Sequence, residues 1–156
     1  MSVEITNSVS RFFASVDRCD WPAVQALMTE QFHVDYSSYG GGPASEVSPE
    51  GLTAAWAGFL PYFDSVHHQI GNLIVEQNGD TAEVRCHGMA SHFIAEHPGG
   101  DLQFVVGTYD LELKRDGADW KLSSMRFNFK YASGNQTLAA EAQRRAAEAN
   151  SETSNA

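Results

Sequence analysis

DSVHHQIGN, residues 64–72, is where the hydropathy pattern of this 156-residue chain changes period. Before it, apolar residues recur every three or four positions; after it, they alternate, and that switch decides the fold class. In an extended chain successive side chains point to opposite sides. Val66, His68, Ile70 and Ile74 then share one face, and His67, Gln69 and Leu73 share the other. His68 stands among aliphatic neighbours, where an imidazole needs a hydrogen-bond partner because burial without one is costly. It is either a core histidine bonded to a backbone carbonyl or a working base.

Upstream, Ile5, Val9, Phe12, Phe13 and Val16 form a helical stripe, and Asp20 is placed to cap a second helix carrying Trp21, Val24, Ala26, Leu27 and Met28. FHVDYSSY (residues 32–39) reads as a strand ending in the turn GGGP. Ser48-Pro49 opens a third helix, with a capping serine and a proline at the first position, where its missing N–H costs nothing. Downstream, strands are expected over 65–77, 80–95, 102–115 and 119–131, with turns at Asn78-Gly79, His97-Pro98-Gly99-Gly100 and Asp116-Gly117. Helices followed by a long antiparallel meander mean an α+β domain, with the N-terminal helices packed on one face of the sheet. Residues 1–134 are read as that domain. Residues 135–156 have helix propensity but almost no apolar stripe, and read as a flexible, frayed tail.

The bulk properties exclude several classes. Hydrophobic residues make up 42% of the chain, enough for a core, while 20 acidic against 10 basic residues give a net charge of −10 that repels nucleic acid. MSVEITNSVSRFF lacks the basic start and apolar run of a signal peptide, and no segment has the length and hydropathy of a membrane span. Cys19 and Cys86 are isolated and read as reduced thiols, so the expected setting is cytoplasmic, with no membrane partner.

Asp17 lies four residues after Phe13 and eight after Val9, on the apolar side of the first helix, where a carboxylate is as odd as His68 on its strand. Two such misplaced groups on facing elements can satisfy one another. An Asp–His pair is what a general base needs, because the carboxylate fixes the imidazole tautomer and stabilises its protonated form. The six histidines do not make a metal site: His67 and His68 face opposite ways, as do His87 and His92, and no HExxH or facial-triad spacing occurs. Gly40-Gly41-Gly42 opens no phosphate motif, there is no GxGxxG, P-loop or GxSxG elbow, and no cofactor is expected.

The order of a helix bearing VD-x-x-DW, a strand with VDY, a proline-started helix, a strand with H-x-x-G and a final strand after RDGADWKL resembles the SnoaL-like branch of the nuclear transport factor 2 superfamily over about residues 5–132. Within it, the scytalone dehydratases and hexachlorocyclohexane dehydrochlorinases are most similar. The resemblance implies a cone, in which a strongly bent, mostly antiparallel sheet wraps helices around an apolar pocket, and a homo-oligomer, dimer or trimer. It implies a catalytic Asp17–His68 dyad, substrate binding by Tyr36 of VDYSSY, and, more loosely, by His92 of MASHFIAEH. Trp56, Phe59, Met89, Met125, Phe127 and Phe129 become candidates for the pocket wall. Val16 departs from the pattern, standing where scytalone dehydratases carry a tyrosine. Phe12 and Met125 stand where the dehydrochlorinases carry basic residues.

The function expected is a cofactor-independent lyase performing dehydratase-type elimination on a small apolar or aromatic molecule. An isomerase of the ketosteroid type is the alternative that uses the same base. A non-catalytic ligand-binding or dimerisation module is the alternative that uses none.

Overall fold

In the computed structural model, which describes residues 2–154, helix α1 (Ser2–Asp17) buries the whole predicted stripe of Ile5, Val9, Phe12, Phe13 and Val16. Asp20 caps α2 (Trp21–Ala26) by accepting the Ala23 N–H at 3.2 Å. That helix is shorter than its apolar run: the Leu27 carbonyl accepts the Leu122 N–H at 2.8 Å, and Met28 already begins β1 (Met28–Asp35). The strand stops before Tyr36 because Asp35 Oδ1 accepts both the backbone N–H and the hydroxyl of Ser37, at 2.9 and 2.6 Å, turning the chain into a 3-10 turn at Ser37–Tyr39. After β2 (Ser45–Val47), the Ser48 hydroxyl caps α3 (Pro49–Ala57) as its sequence requires.

The meander follows as β3 (Ser65–Asn78), β4 (Thr81–Phe93), β5 (Leu102–Asp116) and β6 (Asp119–Gly134). The six strands form one curled sheet in the order β2-β1-β6-β5-β4-β3, antiparallel except for the parallel β1–β6 pair. Their inner face, with Val84, Leu111, Leu113, Trp120 and Leu122, closes on α1. The architecture is the α+β cone expected from the sequence.

One strand departs from strict alternation. Gly71 pairs with His87 and Ile74 with Arg85, so two residues of β3 oppose one of β4, and Asn72 sits at φ 53°. This bulge inverts the facing beyond it. Leu73 and Val75 turn toward the core, while Ile74, assigned by simple alternation to the face of His68, is 61% exposed. Val66, His68 and Ile70 precede the bulge and keep their predicted facing.

The tail also differs from expectation. Residues Leu138–Ser154 form α4, and Leu138, Ala142 and Ala146 are buried at four-residue intervals. Arg145 Nη1 donates to the Tyr62 carbonyl at 3.3 Å and to Asp64 Oδ1 at 2.8 Å, while Glu141 accepts from Arg144 and Arg145. A stripe made mainly of alanine is too weak to register as amphipathic, but it lets the helix backbone approach closely. Burying a leucine stabilises by about 1.5–3 kcal/mol, and each kcal/mol moves Tm by about 2–4 °C at this size. Deleting residues 135–156 is therefore expected to lower the melting temperature by about 5–10 °C in a thermal scan.

Candidate active site

Asp17 is the last residue of α1, where the negative end of the helix dipole gives a carboxylate no reward. Its compensation comes from β3. Asp17 Oδ2 accepts the His68 backbone N–H at 2.9 Å, and Asp17 Oδ1 lies 2.6 Å from His68 Nδ1. An ionised carboxylate can only accept, so Nδ1 carries the ring proton and the lone pair of the neutral imidazole resides on Nε2, on the far side of the ring. The Phe13 ring packs 5.5 Å from the imidazole. His67 points out, 64% exposed, with its Nδ1 3.8 Å from the same carboxylate.

His68 forms part of the wall of a cavity of about 170 Å³ between α1, α3 and the inner face of the sheet. An apolar protein cavity of about 150 Å³ accepts benzene, so this volume suits one or two fused rings. Trp56, Met125 and Phe127 line it, as expected. Phe59 also lines it, whereas Met89 and Phe129 do not. Met89 has the opposite parity to His92 on β4 and faces outward, and Phe129 stacks on Tyr39 with ring centroids 4.9 Å apart and is partly exposed.

Tyr36 lines the cavity from just beyond β1, its ring centroid 6.1 Å from that of Phe127, and burial pushes its hydroxyl well above the ordinary tyrosine range. The glycine triplet serves this placement. The chain turns at Gly40 with φ 77°, and the Gly41 N–H bonds the Tyr36 carbonyl at 3.0 Å. A Cβ on Gly41 would come within 2.5 Å of the Tyr36 Cβ.

His92 is on the same face as His68, one diagonal step across the β3–β4 ladder, where Val66 pairs with His92 and His68 with Ala90. Its ring lies 4.8 Å from Phe63, and its Nδ1 is buried without a partner among the described residues. Burial, reinforced by His68 and opposed by Asp17, pushes this imidazole down to about 4, so it is neutral near pH 7.

The sequence reading missed Tyr109 and Tyr39, which also line the cavity. Tyr109 has the inward parity of Val105 and Leu111 on β5, the same sign that exposed His68, and could have been found by it. Among the described residues lining the cavity none is a lysine or arginine. Arg126 lies on the other face of the sheet and pairs with Asp35 at 3.0 Å. Among the described residues, no three His, Cys, Asp or Glu side chains are grouped to hold a metal ion, and no helix is long and apolar enough to cross a membrane.

The chain belongs to the SnoaL-like family: the model of the SnoaL-like domain matches residues 2–126. No curated protein matches the sequence. Among solved structures, the Kfla4162 protein from Kribbella flavida is similar at 27% identity, with a TM-score of 0.83 over 89% of this chain and 96% of that one. A proposed scytalone dehydratase from Novosphingobium aromaticivorans is similar at 16% identity and TM-score 0.73, over 86% and 87% of the two chains. The hexachlorocyclohexane dehydrochlorinase LinA-type3 from Novosphingobium barchaimii is similar at 17% identity and TM-score 0.71, over 86% and 90%. At these last two identities the likeness is one of fold, the nuclear transport factor 2-like cone.

The His92 environment gives a pH signature. An unfolded histidine titrates near 6.5, and the folded one near 4. As pH falls through this window the unfolded chain takes up the proton first, so His92 lowers stability progressively. Urea midpoints measured from neutral pH down to about pH 4 are expected to fall less steeply in His92→Gln than in the wild type.

Proposed function

We propose that the protein is a cofactor-independent lyase of the dehydratase type, acting on a small, uncharged aromatic or apolar molecule. The observation that carries this reading is the 2.6 Å contact between Asp17 and His68, with His68 on the wall of an apolar cavity. His68 Nε2 removes a proton from a carbon next to a carbonyl or aromatic system. Asp17 holds the ring and stabilises the imidazolium that forms. Tyr36 donates a hydrogen bond to the oxygen on which negative charge develops, and neutral His92 contacts the substrate from the same wall. The imidazolium then returns its proton to the departing hydroxyl, which leaves as water. Trp56, Met125 and Phe127 supply apolar contact.

Because none of the described residues lining the cavity is cationic, a carboxylate or phosphate would be desolvated there without a partner, which favours uncharged substrates. A positioned base supplies about 10²–10⁴-fold, and an oxyanion donor about 10²–10³-fold. Together these are enough for elimination from an activated carbon.

A β-hydroxy aryl ketone, 3-hydroxy-1-tetralone, tests the reading, because loss of water gives fluorescent 1-naphthol. Release of naphthol is expected. Exchange of the α-protons in D2O without elimination would instead favour the isomerase alternative, and neither signal would favour a binding module. Asp17→Asn and His68→Gln should each lose about 10²–10⁴-fold in rate, and the double variant should be hardly worse than either, because residues acting as one unit are non-additive. Multiplying effects would overturn the dyad.

A further inference from the structure

The cavity contains a second tyrosine hydroxyl that the base chemistry does not use. Tyr109 is 5% exposed, lines the cavity, and its hydroxyl has no hydrogen-bond partner among the described residues. Among the described residues the buried side-chain polar atoms left without a partner are His92 Nδ1 and Trp120 Nε1, so the Tyr109 oxygen is not sealed in the core and is free to meet a ligand. The ring is held from several sides: its centroid lies 4.8 Å from Phe13 and 5.0 Å from Phe127. Phe13 in turn packs on His68, and Phe127 on Tyr36. The aromatic arc thus runs from His68 through Phe13, Tyr109 and Phe127 to Tyr36.

The sheet beneath is cut to fit this ring. Gly88 on β4 pairs with Gly107 on β5, and a Cβ on Gly88 would meet Tyr109 Cε2 at 2.3 Å. A Cβ on Gly107 would meet Phe127 Cζ at 2.6 Å. The two bare positions let both rings lie against backbone, leaving the Tyr109 hydroxyl at the cavity rather than sunk in the core. Burial, with Tyr36, Cys86 and Asp17 adding to it, raises the Tyr109 hydroxyl well above the ordinary range, so it remains a protonated donor at neutral pH.

We propose that Tyr109 is a second hydrogen-bond donor of this site, sharing with Tyr36 a single substrate oxygen that carries negative charge. This rests on the reading of the cavity as a substrate site, but not on His68 acting as a base. Two hydroxyls on separate elements, one at the end of β1 and one in mid-sheet, select a planar molecule whose oxygen lies in or next to its ring plane, as in a phenol, an enol or an aryl ketone.

Binding of 4-nitrophenol tests the proposal, since its phenolate absorbs apart from the phenol, and nitrobenzene serves as the oxygen-depleted control. The wild type is expected to bind 4-nitrophenol and to favour its phenolate form. Tyr109→Phe should weaken phenolate binding by about 10- to 100-fold, the worth of a hydrogen bond to a charged group, while leaving nitrobenzene affinity and the melting temperature unchanged. Tyr36→Phe should behave alike. Unchanged 4-nitrophenol affinity in Tyr109→Phe would overturn the proposal, as would an equal loss for nitrobenzene or no binding to the wild type. His68→Gln separates the two readings: it should abolish turnover of the tetralone while retaining the Tyr109-dependent part of phenolate binding. Turnover that survives Tyr109→Phe with phenolate affinity intact would leave the base reading standing and this one refuted.

Discussion

The Asp17 carboxylate is the contact that joins the first helix to the sheet beside the cavity. Both oxygens are engaged by one residue, the backbone N–H and the ring of His68, so a single contact ties the end of α1 to the middle of β3. Bonding to backbone as well as side chain fixes the carboxylate in two directions and therefore fixes the plane of the imidazole. Phe13, one turn earlier on α1, packs against the same ring. The helix thus delivers an anchor and a wall together, and its register against the sheet cannot slip without losing both.

Polarity in the cavity follows the same economy. Its lining is aromatic and aliphatic apart from two imidazoles and three tyrosine hydroxyls, and burial keeps the His92 imidazole neutral near pH 7. The cations nearby are spent elsewhere: Arg126 on Asp35 outside the sheet, and Arg145 on Asp64 at the end of the segment leading into β3. A site of this kind has little hold on charged molecules in solution. In the proposed reaction its interactions would fall on charge that arises after binding, when the proton moves.

Much of this was legible in the sequence because the relevant signals were local. The α1 stripe, the Asp20 and Ser48 caps and the hairpin turns all depend on neighbouring residues, and Asp17 and His68 stood out as polar groups in apolar patterns. The bulge at Asn72 was not legible, because one extra residue in β3 acquires meaning only against its partner strand. The end of β1 before Tyr36 depends on an Asp35–Ser37 turn that competes with strand propensity. The inward parity of Tyr109 was in the sequence, but the room its ring occupies was not, because that depends on Gly88 of the neighbouring strand, which is placed only once β4 and β5 are in register. Met89 was named as a pocket-wall candidate although its parity on β4, opposite to that of His92, turns it outward.

Helix α4 lies beyond residues 2–126, the stretch that the SnoaL-like domain model matches, yet it is bonded to the short segment that shapes the pocket. Leu60 and Phe59 belong to the cavity wall and Phe63 packs at a tilt against His92, while Arg145 grips Tyr62 and Asp64 between and beside them. The Asp17–His68 pair sits at the α1–β3 junction, whereas the opposite wall is braced by helix α4. Changes at positions such as Leu138 or Ala142 can therefore reshape what the pocket admits while leaving Asp17 and His68 untouched. The fold thus holds the Asp17–His68 contact and the far wall of the cavity by separate elements, so that one can be altered without the other.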